Sequence, residues 1–429
     1  MMLSPAPPAE SLGTVAVSGT RWSRFLAFLG PGYLVATGYM DPGNWATSLA
    51  AGSKFGSALL FVVVLSSLMA IVLQALSARL GFVTGADLAS LCRREYPRPL
   101  VIILWLVSET AILATDLAEV VGTAIGLQLL FGLPLWLGAI LTALDALLVL
   151  ALQRFGFRKL EAVVVALLIL IALSFAFELS LARPTSAEIL SGLIPKTAAV
   201  TDPQMLYLSL GILGATIMPH NLFLHSAVVR TRAIAPTREA LREAVAFASA
   251  DSAIALGFAL IINAAILLLA AAAFHRNGHT DIAEIGDAYR LLEPLFGAAL
   301  AAKLFALALI ACGVNSTITA TLAGQIVMDG FVRLRLPPAA RRLLTRSIAI
   351  VPAVAVTIVQ GESATARLLV LSQVILAFAL PFAIGPLMHF SFARRLTGDL
   401  RAPLPTLLAG AIISAAIVAL NVKLIVDLL

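Results

Sequence analysis

Two short stretches of this 429-residue chain hold side chains that could ligate a metal ion: Asp41-Pro42-Gly43-Asn44 and Met218-Pro219-His220-Asn221. Both read X-Pro-X-Asn, both follow an Ala-Thr pair (Ala36-Thr37 and Ala215-Thr216), and the prolines lie 177 residues apart. A proline lacks a backbone N–H, so the carbonyl four residues earlier loses its helical partner. Those carbonyls belong to Gly38 and Ala215. A bound cation can replace the missing donor, and Gly43 lets the backbone turn and a ligand approach closely. Asp41 supplies a negative charge, Asn44 and Asn221 amide oxygens, and Met218 a thioether.

Oxygens alone would suit Mg²⁺, Ca²⁺ or Na⁺, whereas a thioether disfavours those hard ions. One carboxylate, one sulfur and neutral oxygens fit a borderline metal such as Mn²⁺, Fe²⁺ or Co²⁺, with Cd²⁺ as a soft mimic. The plain reading of Met218 is a gap-filling apolar side chain. Its position directly before the breaking proline favours ligation. His220 and His225 are five apart and do not share a helical face, so they are not read as a chelating pair. Gln373, in a later apolar span, is placed to reach the ion in one conformation.

A second cluster comprises Glu109, Asp116 and Glu119, whose spacings of 7 and 3 put them on one helical stripe. Three carboxylates in hydrocarbon are expensive and mark ion or proton paths. They are candidate proton carriers, with His220, a residue type that titrates near neutrality, beside the metal site. Arg341, Arg342 and Arg346 are the expected charge partners. A static buried ion-pair network is the alternative reading. Asp251 and Asn263 are read as interhelical hydrogen-bonding residues.

The elements that must position these residues are membrane helices. The chain is 60% hydrophobic and 12% charged, with a mean hydropathy of +1.01. Soluble domains carry about 25% charged residues, so an ordinary soluble enzyme, a disordered chain and a disulfide scaffold are excluded. Cys92 and Cys312 form no framework, and no nucleophile–base, H-E-x-x-H or CxxC motif appears. An enzyme and a resident cofactor are therefore not expected.

A spanning helix needs about 20 apolar residues. Eleven such stretches lie near 25–50, 57–78, 99–130, 135–153, 160–182, 205–229, 247–274, 298–328, 345–360, 366–393 and 405–427. Residues 1–20 read as a disordered tail without the basic start and apolar core of a signal peptide. With the N-terminus inside, inner segments hold 21 Lys or Arg residues and outer segments 7. That asymmetry supports N-inside, C-outside. The net charge of +6 then records topology rather than affinity for nucleic acid. No soluble domain is visible; 230–246 and 275–296 are short enough to be loops or helix caps.

The matched breaks fall in the first and sixth spans, five helices apart. Two interrupted helices in corresponding positions of two halves point to a transporter binding site. The expected architecture is a five-plus-five inverted repeat, about 25–182 and 205–393, with one extra helix at 405–427.

The segments GPGYLVATGYMDPGNWATSLAAGSKFG, LGILGATIMPHNLFLHSAVVRTR and TDLAEVVGTAIGLQLLFG resemble the Nramp family of proton-coupled divalent metal transporters, its bacterial manganese branch above all. The similarity extends through LAGQIVMDGF and LLVLSQVILAFALPFA, over essentially the whole chain after residue 20. The resemblance implies a LeuT-type fold of eleven helices in a bacterial cytoplasmic membrane. It implies metal ligation by Asp41, Asn44 and Met218, carbonyls of Gly38 and Ala215, and a conformation-dependent contribution from Gln373. It also implies proton routing through Asp116, Glu119 and Glu109, with His220 nearby. Mn²⁺ or Fe²⁺, with Co²⁺, Zn²⁺ and Cd²⁺ as further candidates, and H⁺ would be transported substrates. Two other readings stand beside this one: a Na⁺-coupled organic-solute symporter of the same fold class, and a metal sensor that does not transport.

Overall fold

The computed structural model describes residues 14–153, 156–282, 284–297, 299–333, 337–360 and 365–428. Residues 1–13 of the expected tail, and Arg154 and Arg335 of the inner basic set, lie outside the described residues. The rest of that tail has a fixed place: β1 (Val15–Ala16) runs parallel to β2 (Arg232–Ala233), and the Thr20 hydroxyl caps α1 (Arg21–Phe28). A two-residue ladder leaves no periodic trace in a sequence.

The first broken span is α2 (Pro31–Gly38) and α3 (Pro42–Phe55). Next come α4 (Leu60–Thr84), α5 (Leu88–Glu95), α6 (Arg98–Phe131), α7 (Leu135–Gln153) and α8 (Phe157–Ala182). Short helices α9 (Ser186–Gly192) and α10 (Ala198–Thr201) lead to the second broken span, α11 (Pro203–Ile217) and α12 (Pro219–Val228). The chain finishes with α13 (Arg238–Ala273), α14 (Ile285–Phe296), α15 (Ala299–Val332), α16 (Pro338–Gln360), α17 (Thr365–Phe392), α18 (Arg394–Thr397) and α19 (Leu404–Leu428). Eight helical stretches among the described residues are long and apolar enough to cross a membrane.

Helix boundaries depart from the hydropathy reading where helices are polar. α13 begins at Arg238 rather than near 247, because its first turns carry charge and lie beyond the apolar stretch. The outer segment 275–296, expected as a loop or a helix cap, contains the amphipathic helix α14, too short and polar to stand out.

All four half-helices start with proline at their first position: Pro31, Pro42, Pro203 and Pro219. There the missing N–H costs nothing, since the first N–H groups of a helix have no internal partner. The prolines thus end one helix and begin the next. The half-helices form the centre of the bundle: α11 packs on α17, α4 and α3, α12 on α4 and α15, and α2 on α13, α15 and α8. The apolar stretch within Pro203–Thr231 is 100% buried and that within Leu404–Asp427 only 28%, which places the second break at the core and α19 on the outside of the bundle. α6 packs along α15 and α17, and α16 lies against α6 and α7.

Between helices in a bilayer, packing and hydrogen bonds replace the hydrophobic effect. Trp45, one residue after Asn44, is fully buried with its ring 4.7 Å from Phe175 and 5.1 Å from Phe305. It fixes α3 between α8 and α15. At the inner end, Asp251 on α13 accepts from Gly30 N (3.2 Å) and Gly32 N (2.6 Å), capping α2. The interhelical role expected of Asp251 is thus met at backbone N–H groups. Arg232 pairs with Glu161 of α8 at 2.8 Å beside it.

Candidate functional site

The site grows from the two breaks. Asp41 has extended backbone and caps α3, its Oδ1 accepting from Asn44 N at 2.8 Å and Asn44 Nδ2 at 3.0 Å. Gln373 on α17 donates from Nε2 to Asp41 Oδ2 at 3.2 Å. Asn44 Nδ2 also donates to the Ala215 carbonyl at 2.9 Å, crossing from the first break to the second. A Cβ on Gly43 would lie 1.7 Å from Gln373 Nε2, so only glycine lets α17 come this close. Asp41, Asn44, Ala215, Met218, His220 and Gln373 are all buried.

Met218 joins α11 to α12 with φ 37° and ψ 107°. For a residue with a Cβ this conformation costs on the order of 1–3 kcal/mol and persists only where the surroundings enforce it. Gly38 faces this turn: a Cβ there would meet Met218 Sδ at 3.1 Å and Asn221 Nδ2 at 2.5 Å. Asn221 Nδ2 lies 3.6 Å from the Met218 sulfur. On its other side Met218 packs against Ala111, Ala114, Leu376 and Ala379 of α6 and α17.

The expectation of two free carbonyls needs correction. The Gly38 carbonyl accepts from Asp41 N at 3.3 Å, and the Ala215 carbonyl accepts from Asn44. Proline removes the i+4 donor, but the chain turns tightly enough for an i+3 N–H, or a neighbouring amide, to take its place.

The stripe on α6 meets α16 in a ladder. Glu109 pairs with Arg341 at 3.0 Å and accepts from Trp105 Nε1 at 3.1 Å. Asp116 pairs with Arg342 at 2.5 Å. Glu119 pairs with Arg346 at 2.9 Å and Arg342 at 3.4 Å, and accepts from Ser316 (2.7 Å) and Thr317 (2.9 Å) of α15. Asp116 Oδ2 and both ring nitrogens of His220 are buried without a hydrogen-bond partner among the described residues.

Sequence reasoning missed the residues that hold the breaks in shape. Gln74 of α4 donates to Tyr39 Oη (2.6 Å) and bonds His225 Nδ1 (3.0 Å), and Tyr39 Oη donates to the Ile217 carbonyl at 3.4 Å. Asn263 of α13, by contrast, was expected to bond between helices and does so, donating to the Tyr39 carbonyl at 2.7 Å. Gln74 carried a signal, as a lone amide inside an apolar span. Ser316 and Thr317 did not, because small hydroxyl residues occur throughout these helices and bond their own backbone.

Two opposed helix breaks, a buried carboxylate at their junction and a flanking ladder of ion pairs define a multi-pass helical membrane transporter of the LeuT type. The chain belongs to the Nramp family: the family model described as natural resistance-associated macrophage protein-like matches residues 32–427. It is 60% identical over 417 residues to the divalent metal cation transporter MntH of Xanthomonas campestris pv. campestris, covering 97% of this chain and 94% of the relative. It is 58% identical to the transporter of the same name from Agrobacterium fabrum, covering 94% and 88%. Among solved structures, the Eremococcus coleocola manganese transporter in complex with an aromatic bis-isothiourea substituted compound matches with a TM-score of 0.88 at 41% identity, covering 96% and 89%. MhsT in complex with L-phenylalanine shares the fold alone, with a TM-score of 0.62 at 15% identity.

Proposed function

We propose that this chain carries divalent transition metal ions, Mn²⁺ and Fe²⁺ foremost and Co²⁺, Zn²⁺ and Cd²⁺ as further cargo, into the cell together with protons. It does so as a multi-pass protein of the bacterial cytoplasmic membrane. The metal is cargo rather than cofactor, and protons and the lipid bilayer are the other expected partners. The observation that carries this reading is the amide bridge from Asp41 to the Ala215 carbonyl. The acceptors now served by Asn44 Nδ2 are the ones a cation would take if the Asn44 amide turned its oxygen inward. Gln373 Nε2 would likewise give way at Asp41 Oδ2. The Met218 sulfur supplies the softness that discriminates against Ca²⁺ and Mg²⁺.

The reaction is alternating access. A partly hydrated ion enters from outside and binds between α2–α3 and α11–α12, with Asp41, Asn44, Met218, the Gly38 and Ala215 carbonyls and, in one conformation, Gln373 as ligands. A proton follows by His220 and Asp116 to Glu119 and Glu109, with Arg341 and Arg342 as charge partners that hold the acids in the bilayer. Two repeats, about 25–182 and 205–393, rock about the site, and the helix at 405–427 stands outside them.

Uptake into proteoliposomes with an internal metal-sensitive dye and an interior pH dye, at negative potential, tests this. Saturable Mn²⁺ and Cd²⁺ entry with acidification, and exclusion of Ca²⁺ and Mg²⁺, is the expected result. Mn²⁺ entry without acidification removes the symport and keeps the site. No Mn²⁺ entry by folded protein removes both.

A further inference from the structure

We propose that the inner rim carries a binding site for the headgroup of an anionic phospholipid. A cavity of about 520 Å³ opens where the inner ends of α4 and α13 meet the connection between α18 and α19. Three arginines line it: Arg79 from α4, Arg242 from α13 and Arg401 from the connection. None of the three forms an ion pair among the described residues. Arg79 is held in place by neutral acceptors, donating to the carbonyls of Leu400 at 3.0 Å and Arg401 at 3.4 Å. Arg401 stacks over Phe392 at 5.5 Å, and its Nε is buried without a hydrogen-bond partner among the described residues. Arg242 is exposed. The one carboxylate in the lining, Asp399, is already paired with Arg238 at 2.9 Å.

Three arginines lining one concavity whose single carboxylate, Asp399, is engaged by Arg238 are a recognition element for phosphate, whose oxygens match the planar fork of N–H donors. The source of that phosphate follows from the neighbouring surface. The helices beside the cavity continue outward with exposed apolar side chains: Ile254 and Ile261 on α13, and Leu404, Leu408 and Ile412 on α19. A basic pocket on the cytoplasmic side, flanked by lipid-facing helices, fits a molecule with an anionic head and acyl chains. A soluble phosphate ester would use the arginines and leave the apolar flanks idle. The metal site plays no part in this inference.

The test is a titration of the full-length protein in mild detergent with phosphatidylglycerol, phosphatidylcholine and inorganic phosphate. Bound lipid is read by native mass spectrometry and the thermal midpoint alongside. Neither readout needs a metal or transport. Arg242→Ala is the informative variant, because Arg242 is exposed and makes no ion pair among the described residues; Arg242→Lys keeps the charge. Wild type should half-saturate with phosphatidylglycerol at about tenfold lower concentration than with phosphatidylcholine. Arg242→Ala should raise the phosphatidylglycerol value about fivefold, the scale of one basic residue at a charged membrane surface, and leave phosphatidylcholine unchanged. Arg242→Lys should recover most of the loss. Equal affinity for the two lipids, or equal phosphatidylglycerol binding by wild type and Arg242→Ala, overturns the site. Displacement of phosphatidylglycerol by millimolar inorganic phosphate, with the same gain in midpoint, overturns the lipid as its ligand.

Discussion

Gly122 sits on α6 where that helix crosses the start of α3, and a Cβ there would lie 2.1 Å from Pro42 Cβ and 2.3 Å from Pro42 Cγ. Carbon atoms rest about 3.5–4.0 Å apart, so Gly122→Ala must push the two helices apart by about 1.5 Å. The proline ring is rigid and has no rotamer by which to yield. Overpacking of this kind costs about 1–3 kcal/mol. Alanine regains about 1 kcal/mol over glycine inside a helix, which leaves a net loss of about 0–2 kcal/mol. The more informative effect is positional. Pro42 follows Asp41 directly, so the displacement falls on the carboxylate and on its bonds to Asn44 and Gln373. Mn²⁺ uptake by the variant should show a KM raised at least tenfold while the thermal midpoint falls by only a few degrees. Gly257→Ala on α13 is the internal control, since a Cβ there meets nothing within 4 Å. It should transport normally and be unchanged or slightly more stable. Wild-type KM in Gly122→Ala, or equal loss in both variants, would refute the argument that close approach at Pro42 sets the site.

Asp41→Ala should abolish metal uptake and leave a folded, monodisperse protein; uptake at wild-type affinity would end the assignment of Asp41 as a ligand. Met218→Ala should keep Mn²⁺ uptake and admit Ca²⁺ or Mg²⁺ in competition assays, whereas unchanged selectivity would reduce Met218 to packing against α6 and α17. Arg346→Met removes the 2.9 Å partner of Glu119 in a fully buried setting. Breaking a buried pair costs about 3–5 kcal/mol, an upper bound here because Arg342 stays 3.4 Å from Glu119, while replacing both members of a pair is often neutral. Thermal unfolding should therefore show a marked loss in the single variant and recovery in Arg346→Met with Glu119→Gln. Equal instability of single and double variants would show that the Arg346–Glu119 pair is not the unit of stability.

Much of the molecule is legible in the sequence alone. Apolar runs long enough to span a bilayer announce helices because a backbone in hydrocarbon must satisfy its own hydrogen bonds. The two Pro-containing breaks were readable because proline is the one residue that cannot donate to a helix. The stripe of Glu109, Asp116 and Glu119 and the arginines that meet it were readable from helical spacing and from the cost of charge in lipid. Each of these signals is local to one segment.

What the fold alone decided is how segments far apart in sequence share donors and acceptors. No local pattern says that Asn44 bridges Asp41 to the Ala215 carbonyl, that the Gly38 carbonyl finds Asp41 N, or that Gln74 and Asn263 hold Tyr39 from two different helices. The Pro42–Gly122 contact and the three arginines gathered at the inner rim belong to the same class. Proline determines by itself that a donor is missing. Which group replaces that donor depends on the packing of helices against one another, and that is a property of the whole bundle.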